Sequence, residues 1–297
     1  MSAAAVLELI VRRIDDARLG AYGVHVLVGD DEAQHRWRSD DRVNIYSDSK
    51  GVCALAVGMA IDEGVLTPGT RVPELLPDLE LGPGVDRVTI LDLLRMTSGI
   101  DFEWFGSQPA PWPDLAQEIA RRPAEQTGSR FQYSDASTYL AMRMLGAAVG
   151  DVRDWLMPRL FDPLEIHNPQ WHRCPNGWII GGTGLELRTE ELARIGRLLR
   201  DRGRWRDRTL VSPAWVDRMH RDWVPTPHYS DYGIAVWQGP GDCWRLDGLY
   251  GQYVVVDEAR DGVVTITAHE ETRDALLAEI AASAMAAAAQ PSGTLAT

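Results

Sequence analysis

Ser47 and Lys50 are the residues whose types and spacing point most directly to chemistry. They open the segment 46–57, which is apolar on nearly every face beyond Lys50, so a buried helix is predicted here. At the start of that helix, free amide donors and the helix dipole would stabilise negative charge on a nucleophilic Ser47. Lys50 lies one turn later on the same face, within reach of the hydroxyl. Burial would weaken its preference for the charged form and make it a usable base.

A simpler interpretation gives the same spacing, because a serine that caps a helix is often followed by an ordinary lysine. The S-x-x-K pattern alone is common. Its context favours the catalytic interpretation, since a lysine at the head of such an apolar helix is costly to bury unless something uses it.

Two further segments are candidates for the same site. Residues 131–135, which contain Tyr133 and Asp135, precede a second apolar helix; alternatively, Asp135 only caps that helix beside a core tyrosine. Residues 246–256 place glycines at the start of a strongly β-forming run, and glycine in a strand marks a close backbone approach. A backbone amide there could complete an oxyanion hole with the Ser47 amide, although a tight turn would use the same glycines.

Composition limits the partners. The 297 residues include 43 acidic and 30 basic side chains, a formal net charge of -13, which opposes binding to nucleic acid or to an anionic membrane surface. Cys53, Cys174 and Cys243 are odd in number and irregularly spaced, which suits reduced thiols and a cytoplasmic protein. Charged residues interrupt the N-terminal 2–20, unlike a secretory signal, and no run approaches the ~20 apolar residues of a membrane span.

Hydrophobic periodicity and turn residues predict an α+β fold. Strands at both ends of the chain would form one antiparallel sheet from residues 1–44 and 225–297, interrupted by a mostly helical domain over 45–224, with the active site at their interface. Thr89 and Thr189 are predicted N-caps. The predicted helices are 5–18, 49–63, 90–97, 113–122, 135–148, 189–201 and 270–288. The predicted strands are 22–28, 34–38, 232–238, 243–246, 251–257 and 262–269, with a frayed tail over 290–297.

The order and context of the three motifs resemble the serine β-lactamase and penicillin-binding-protein superfamily. S-x-x-K at the start of a buried helix, Y-S-x before a second helix and G-x-x-G-Q on a late strand carry this resemblance, and residues 91–99 and 181–185 support it. It extends from about residue 20 to about residue 270. Within the superfamily, the sequence is most similar to the β-lactamase-related esterases and the 6-aminohexanoate-dimer hydrolases.

The resemblance implies an acyl-enzyme mechanism without metal or cofactor, acting on a small-molecule ester or amide. Ser47 would attack the carbonyl carbon, Lys50 would take its proton, and Tyr133 would act as a base or pass a proton to the leaving group. The amides of Ser47 and Leu249 would hold the oxyanion. Loop aromatics and motif neighbours give the predicted substrate contacts Asp135, Trp104, Trp178, Gly248 and Tyr250.

Two departures from the family pattern bear on the substrate. Leu246 stands where β-lactamases and peptidases of the superfamily carry a lysine or histidine for the substrate carboxylate. Asp135 stands where asparagine is usual, and an ion pair with Lys50 would keep the lysine charged. Both favour an ester or small amide over a penicillin or a D-alanyl peptide. An acyltransferase or β-lactamase-type hydrolase using the same residues, or a catalytically silent ligand-binding relative, are the alternatives, and Asp135 favours the last.

Overall fold

The computed structural model describes residues 1–106, 111–228 and 230–288; the predicted tail over 290–297 lies outside this range. Its helices are Ala3–Ala17 (α1), Ser49–Asp62 (α2), Val72–Leu75 (α3), Ile90–Leu94 (α4), Leu115–Ala120 (α5), Asp135–Val149 (α6), Val152–Leu156 (α7), Thr189–Arg200 (α8), Pro213–Met219 (α9) and Asp274–Ala288 (α10). Its strands are Ala21–Val28 (β1), Asp31–Arg36 (β2), Val43–Asn44 (β3), Glu186–Leu187 (β4), Arg204–Trp205 (β5), Arg208–Thr209 (β6), Trp237–Gln238 (β7), Trp244–Gly248 (β8), Gln252–Asp257 (β9) and Gly262–Ala268 (β10).

A six-stranded antiparallel sheet joins the two ends of the chain, in the order β2-β1-β10-β9-β8-β7. The β1–β10 pairing sets Val24 opposite Ile266 and Val26 opposite Val264. This confirms the predicted α+β fold, in which N-terminal and C-terminal strands share one sheet.

Helices cover both faces of this sheet, so its central strands are buried throughout. Along β9, Tyr253 and Val255 face α1 and α10, whereas Val254 and Val256 join the core on the other face. Two buried faces explain why β9 and β10 are almost continuously apolar rather than alternating.

Helix α8 covers the second face of the sheet, although the sequence analysis predicted that it belongs to the helical domain over 45–224. It packs against β1, β9 and β10. A side chain at Gly196 would put its Cβ 2.8 Å from Val254 and 2.9 Å from Val263, so the glycine permits this close approach. The sheet layer therefore draws a helix from the middle of the chain, and the exact division into domains stays a prediction.

Two local predictions are wrong. Thr189 is the first residue of α8 rather than its N-cap, which is Arg188, because Glu191 accepts from the Arg188 amide. The predicted strand over 232–238 is only Trp237–Gln238, since Tyr232 makes isolated bridges instead. Thr89 does cap α4, accepting from the Asp92 amide.

Helix α2 runs through the core. Every residue from Ser49 to Ala60 is buried, and the helix packs against α6 and α9. A helix surrounded by protein needs no polar face, which explains its apolar sequence. Among the described residues, no helix combines the length and apolar character that a membrane crossing requires.

Candidate active site

Ser47 lies in a short 3-10 turn, Tyr46–Asp48, that leads directly into α2. Tyr46 has a φ of 47°, a left-handed conformation that is uncommon for a residue with a side chain. Its amide donates to Asn44 Oδ1 at 2.8 Å, and its ring packs edge-on against Tyr250 at 5.3 Å between centroids. These contacts hold the turn that presents Ser47.

Lys50 Nζ meets three acceptors. It donates to Ser47 Oγ at 2.8 Å, to the Gly182 carbonyl at 2.9 Å and to the Asp135 carboxylate. These contacts use all three N–H groups of an ammonium, so the geometry suits the protonated lysine. The side chain is 1% exposed, and Lys50 is the only lysine in the sequence.

Asp135 is fixed at the start of α6. Ser134, rather than Asp135, is the N-cap, and its Oγ accepts from the Ala136 amide at 3.1 Å. The other Asp135 carboxylate oxygen accepts from the Gly106 amide at 2.7 Å. A Cβ at Gly182 would lie 2.6 Å from Oδ1, so only glycine leaves room for this carboxylate beside the lysine.

Asp135 keeps Lys50 charged. Burial lowers the pKa of Lys50, but the charge of Asp135, the interaction with Tyr133 and the hydrogen bond to Asp135 together leave that pKa above its usual value. The expectation that burial alone would make Lys50 a free base is therefore wrong, and the predicted ion pair with Asp135 is present. Burial is the largest single effect, but the buried Asp135 carboxylate and Tyr133 acting together outweigh it.

The Tyr133 side chain lies beside both Ser47 and Lys50. The Lys50 ammonium lies 4.7 Å from the centroid of the Tyr133 ring, and the phenol is within hydrogen-bonding reach of Ser47 and Lys50. Burial raises the pKa of the Tyr133 phenol, and the nearby ammonium does not reverse this. The phenol is therefore protonated near neutral pH and suited to donating a proton.

A cavity of about 390 Å³ opens onto Ser47. It brings together four of the predicted site residues, Ser47, Tyr133, Asp135 and Leu249, with Lys50 directly behind them. The full lining is Tyr46, Ser47, Phe105, Tyr133, Asp135, Thr183, Trp237, Asp247, Leu249 and Asp274.

Strand β8 lies very close to the turn Tyr46–Asp48 that contains Ser47. A Cβ at Gly248 would lie only 2.4 Å from the Ile45 carbonyl oxygen, so glycine lets the strand bring Leu249 beside Ser47. Leu246 is 1% exposed and packs on Gly51 of α2, away from the cavity. The next residue, Asp247, lines the cavity instead.

Four predicted substrate contacts do not line this cavity. Trp104 is 2% exposed, packs against Tyr139 and accepts from the Asp135 amide at 2.9 Å, so it supports the site from behind. Trp178 covers Arg143 at 4.4 Å on the side of α6. Gly248 is buried, and Tyr250 packs against Tyr46 and His269.

The structure adds residues that the sequence interpretation missed. Asp247 lies inside a recognised motif, between Leu246 and Gly248, and the motif was the available signal. No sequence motif marked Trp237 or Asp274, because their positions in the cavity depend on how β7 and α10 pack. Within residues 1–106, 111–228 and 230–288, no group of three His, Cys, Asp or Glu side chains is arranged to hold a metal ion.

The sheet, the buried helix headed by Ser47 and Lys50, and Tyr133 opposite them define a protein of the serine β-lactamase and penicillin-binding-protein class. Residues 9–289 match the family model described as Beta-lactamase, and the chain belongs to the beta-lactamase family.

Among curated proteins, the chain is similar to a hydrolase named for its dimer substrate. The chain is 25% identical over 200 residues to the 6-aminohexanoate-dimer hydrolase of Paenarthrobacter ureafaciens, an alignment covering 60% of this chain and 50% of that protein. It thus spans about half the length of that curated relative.

Two solved structures share the fold. The octameric penicillin-binding protein homologue from Pyrococcus abyssi has a TM-score of 0.76 at 15% identity, with 97% of this chain and 78% of that chain covered. A family VIII carboxylesterase has a TM-score of 0.75 at 15% identity, with 95% and 97% covered. At these identities the likeness shows the fold alone.

Proposed function

We propose that the protein hydrolyses a carboxylic ester or a small amide through an acyl-enzyme formed on Ser47. The observation that carries this proposal is the 2.8 Å hydrogen bond between Lys50 Nζ and Ser47 Oγ at the edge of a cavity that Tyr133 also lines. Nucleophile, proton carrier and proton donor in one cavity form the arrangement that covalent acyl transfer requires. A carboxylesterase and a 6-aminohexanoate-dimer hydrolase among the similar proteins support an ester or amide bond as the target.

The route of the Ser47 proton follows from the charge of Lys50. An ammonium that donates to three acceptors has no lone pair to accept a proton. We propose that Lys50 passes one proton to Asp135 while it receives the proton of Ser47. The result is a serine oxygen bonded to the substrate carbonyl carbon, a lysine still charged and a neutral Asp135. Asp135 is thus the final acceptor, and Lys50 relays the proton.

Release of the acyl group completes the cycle. The amides of Ser47 and Leu249 are the proposed donors to the oxyanion. Tyr133 donates its proton to the leaving alcohol or amine and is reprotonated from Asp135 through Lys50. Water then attacks the acyl carbon while its proton passes through Lys50 to Asp135, and Asp135 returns a proton through Lys50 to Ser47 Oγ as the bond to the acyl group breaks and the acid departs.

The test is hydrolysis of p-nitrophenyl acetate and butyrate and labelling by a fluorophosphonate probe, with a chromogenic cephalosporin to detect β-lactamase activity. We expect turnover of the esters and labelling by the wild type, and loss of both in Ser47→Ala, because no other group replaces the serine oxygen. Ser129→Ala, an exposed serine, is the matched control and should behave as wild type. Equal rates in wild type and Ser47→Ala would refute the proposal.

A catalytically silent relative that binds a ligand is the second candidate, and the Lys50–Asp135 ion pair favours it. Such a protein would be labelled once by the probe without turning over esters. Steady multiple turnover would exclude it. An acyltransferase would instead pass the acyl group to an added alcohol or amine, which product analysis distinguishes from hydrolysis.

We also propose a small-molecule substrate and a cytoplasmic location. Cys53, Cys174 and Cys243 are free and buried, which supports a reducing compartment. The net charge of -13 argues against nucleic acid as a partner.

A further inference from the structure

We propose that this cavity selects substrates that carry a cationic ammonium group beside the scissile ester or amide bond, with Asp274 as its counter-ion. The inference rests on the proposed function, because it concerns the same cavity. Two independent properties of the lining support it: aromatic rings and uncompensated negative charge.

Four aromatic side chains line the cavity, namely Tyr46, Phe105, Tyr133 and Trp237. Tyr133 lies between two of them, with ring centroids 6.4 Å from Phe105 and 5.5 Å from Trp237. The Lys50 ammonium already lies 4.7 Å from the centre of the Tyr133 ring. Aromatic faces attract cations through their quadrupoles, and several rings around one space are typical of sites for quaternary ammonium groups.

Charged side chains in the lining are all acidic: Asp135, Asp247 and Asp274. Lys50 offsets Asp135, and Arg245 offsets Asp247 at 2.9 Å. In the described part of the chain, Asp274 has no ion-pair or hydrogen-bond partner. Residues 107–110, 229 and 289–297 contain no Lys, Arg or His in the sequence, so they supply no counter-ion either.

Asp274 is the first residue of α10, and the turn between β8 and β9 lies against it. A Cβ at Gly251 in that turn would be 3.7 Å from the Asp274 Cβ. Burial raises the pKa of Asp247, the ion pair with Arg245 opposes the shift, and the charge of Asp274 adds to it. The two carboxylates therefore repel each other across the wall, and a substrate cation between them would relieve that repulsion.

The wall formed by β8 has the opposite charge character to the one implied by the family resemblance. Leu246 fills the position of the expected cation and packs into the core, whereas Asp247 faces the cavity. A substrate carboxylate would meet acidic groups here. A substrate ammonium would meet rings and an uncompensated carboxylate.

The experiment compares acetylcholine with 3,3-dimethylbutyl acetate, two esters of the same shape that differ by a quaternary nitrogen in place of a carbon. We expect kcat/KM to be at least about tenfold higher for the cationic ester at low salt. The preference should shrink in high salt because ions screen the attraction. Equal kcat/KM for the two esters, with both hydrolysed by wild type and not by Ser47→Ala, would overturn the inference and leave the proposed function intact.

Variants identify the counter-ion. Asp274→Asn should reduce the ratio of the two kcat/KM values about tenfold, and Asp274→Glu should restore most of it. Glu279→Gln removes the same charge from an exposed position of α10 and should leave the ratio at its wild-type value. A ratio that is the same in wild type and Asp274→Asn would exclude Asp274 as the counter-ion.

Binding separates this inference from the hydrolase proposal. If the wild type hydrolyses neither ester, the proposed function fails, and calorimetric titration with tetramethylammonium decides the inference alone. Binding that weakens in Asp274→Asn and persists in Glu279→Gln would support it. Absence of binding to the wild type would overturn it.

Discussion

At the scale of single residues, the proposed mechanism depends on the Lys50–Asp135 pair. An asparagine at position 135 would leave a buried lysine whose burial favours the neutral form. The carboxylate reverses that preference and provides a proton acceptor in contact with Nζ. In the proposed mechanism, an aspartate in place of asparagine at position 135 therefore changes both the charge of the lysine and the identity of the base.

Replacing Asp135 by asparagine separates these two effects. Without the carboxylate, the pKa of Lys50 should fall, because burial would no longer be opposed by the charge and hydrogen bond of Asp135. Selective ¹⁵N-lysine labelling measures this directly, because a single lysine gives a single side-chain NMR signal.

The pH dependence of kcat/KM in the same variant tests the relay. In the proposed relay, the wild-type active form is the charged Lys50–Asp135 pair, so activity does not require a neutral lysine. In Asp135→Asn, the active form needs a neutral lysine, so the acidic limb should move to higher pH even though the lysine pKa falls. Asp135→Glu retains a carboxylate as the control. If the acidic limb of the Asp135→Asn profile instead moves to lower pH than in the wild type, Lys50 itself is the wild-type base.

At the scale of elements, the site depends on how closely β8 approaches the turn before α2. Gly248 has no space for a side chain, because its Cβ would meet the Ile45 carbonyl oxygen. The Ile45 carbonyl belongs to the backbone, so it cannot move aside as the end of a flexible side chain could. This contact sets the distance between the proposed oxyanion donors, the amides of Ser47 and Leu249.

Gly248→Ala should push these elements apart. We expect kcat/KM to fall about 100-fold from the misplaced donors, and the free energy of unfolding to fall by about 1–3 kcal/mol from overpacking. Ester hydrolysis and urea unfolding measure the two effects. In Gly69→Ala the new Cβ would meet nothing closer than Thr67 Oγ1 at 3.9 Å, so this control should keep wild-type activity. Wild-type rates in Gly248→Ala would mean that the close approach does not position the donors.

At the scale of the whole molecule, the buried carboxylate of Asp48 lowers the free energy of unfolding. It is fully buried between Ser47 and α2, and neither carboxylate oxygen has a hydrogen-bond partner among the described residues. Burial is the main reason that the pKa of Asp48 lies well above the usual aspartate range; the charge of Asp247 adds to this, while Lys50 and Arg245 oppose it. The folded state therefore binds the proton of this carboxyl more tightly than the unfolded chain does.

That difference predicts the pH dependence of stability. The contribution of Asp48 to the free energy of unfolding is complete below its unfolded-state pKa and is lost as pH rises through its folded-state pKa. Asp48→Asn should thus gain stability relative to wild type as pH rises above the usual aspartate range, measured by urea unfolding at a series of pH values. Asp86→Asn, at an exposed position, should stay within about 0.5 kcal/mol of wild type at every pH. A difference for Asp48→Asn that does not vary with pH would contradict the prediction.

Much of the fold could be predicted from local patterns. Helix α1 follows the spacing of Val6, Ile10 and Ile14, and β9 and β10 follow their valine-rich runs. The predicted strand over 232–238 failed because Tyr232 has β propensity but its partners are isolated bridges rather than a ladder. Propensity is local, whereas strand pairing depends on neighbours distant in sequence.

The sequence by itself determined the family and the fold class, and it predicted the core of the candidate site, because S-x-x-K, Y-S-x and G-x-x-G-Q each place their residues within a few positions of one another. Only the tertiary structure decided the lining of the cavity. Trp104 supports the site from behind, and Asp274 reaches it from a helix more than 200 residues after Ser47 in the chain. Short motifs fix neighbours along the chain, but the wall of a cavity is assembled by long-range packing, so its charge and shape appear only when α10, β7 and β8 come together around Ser47.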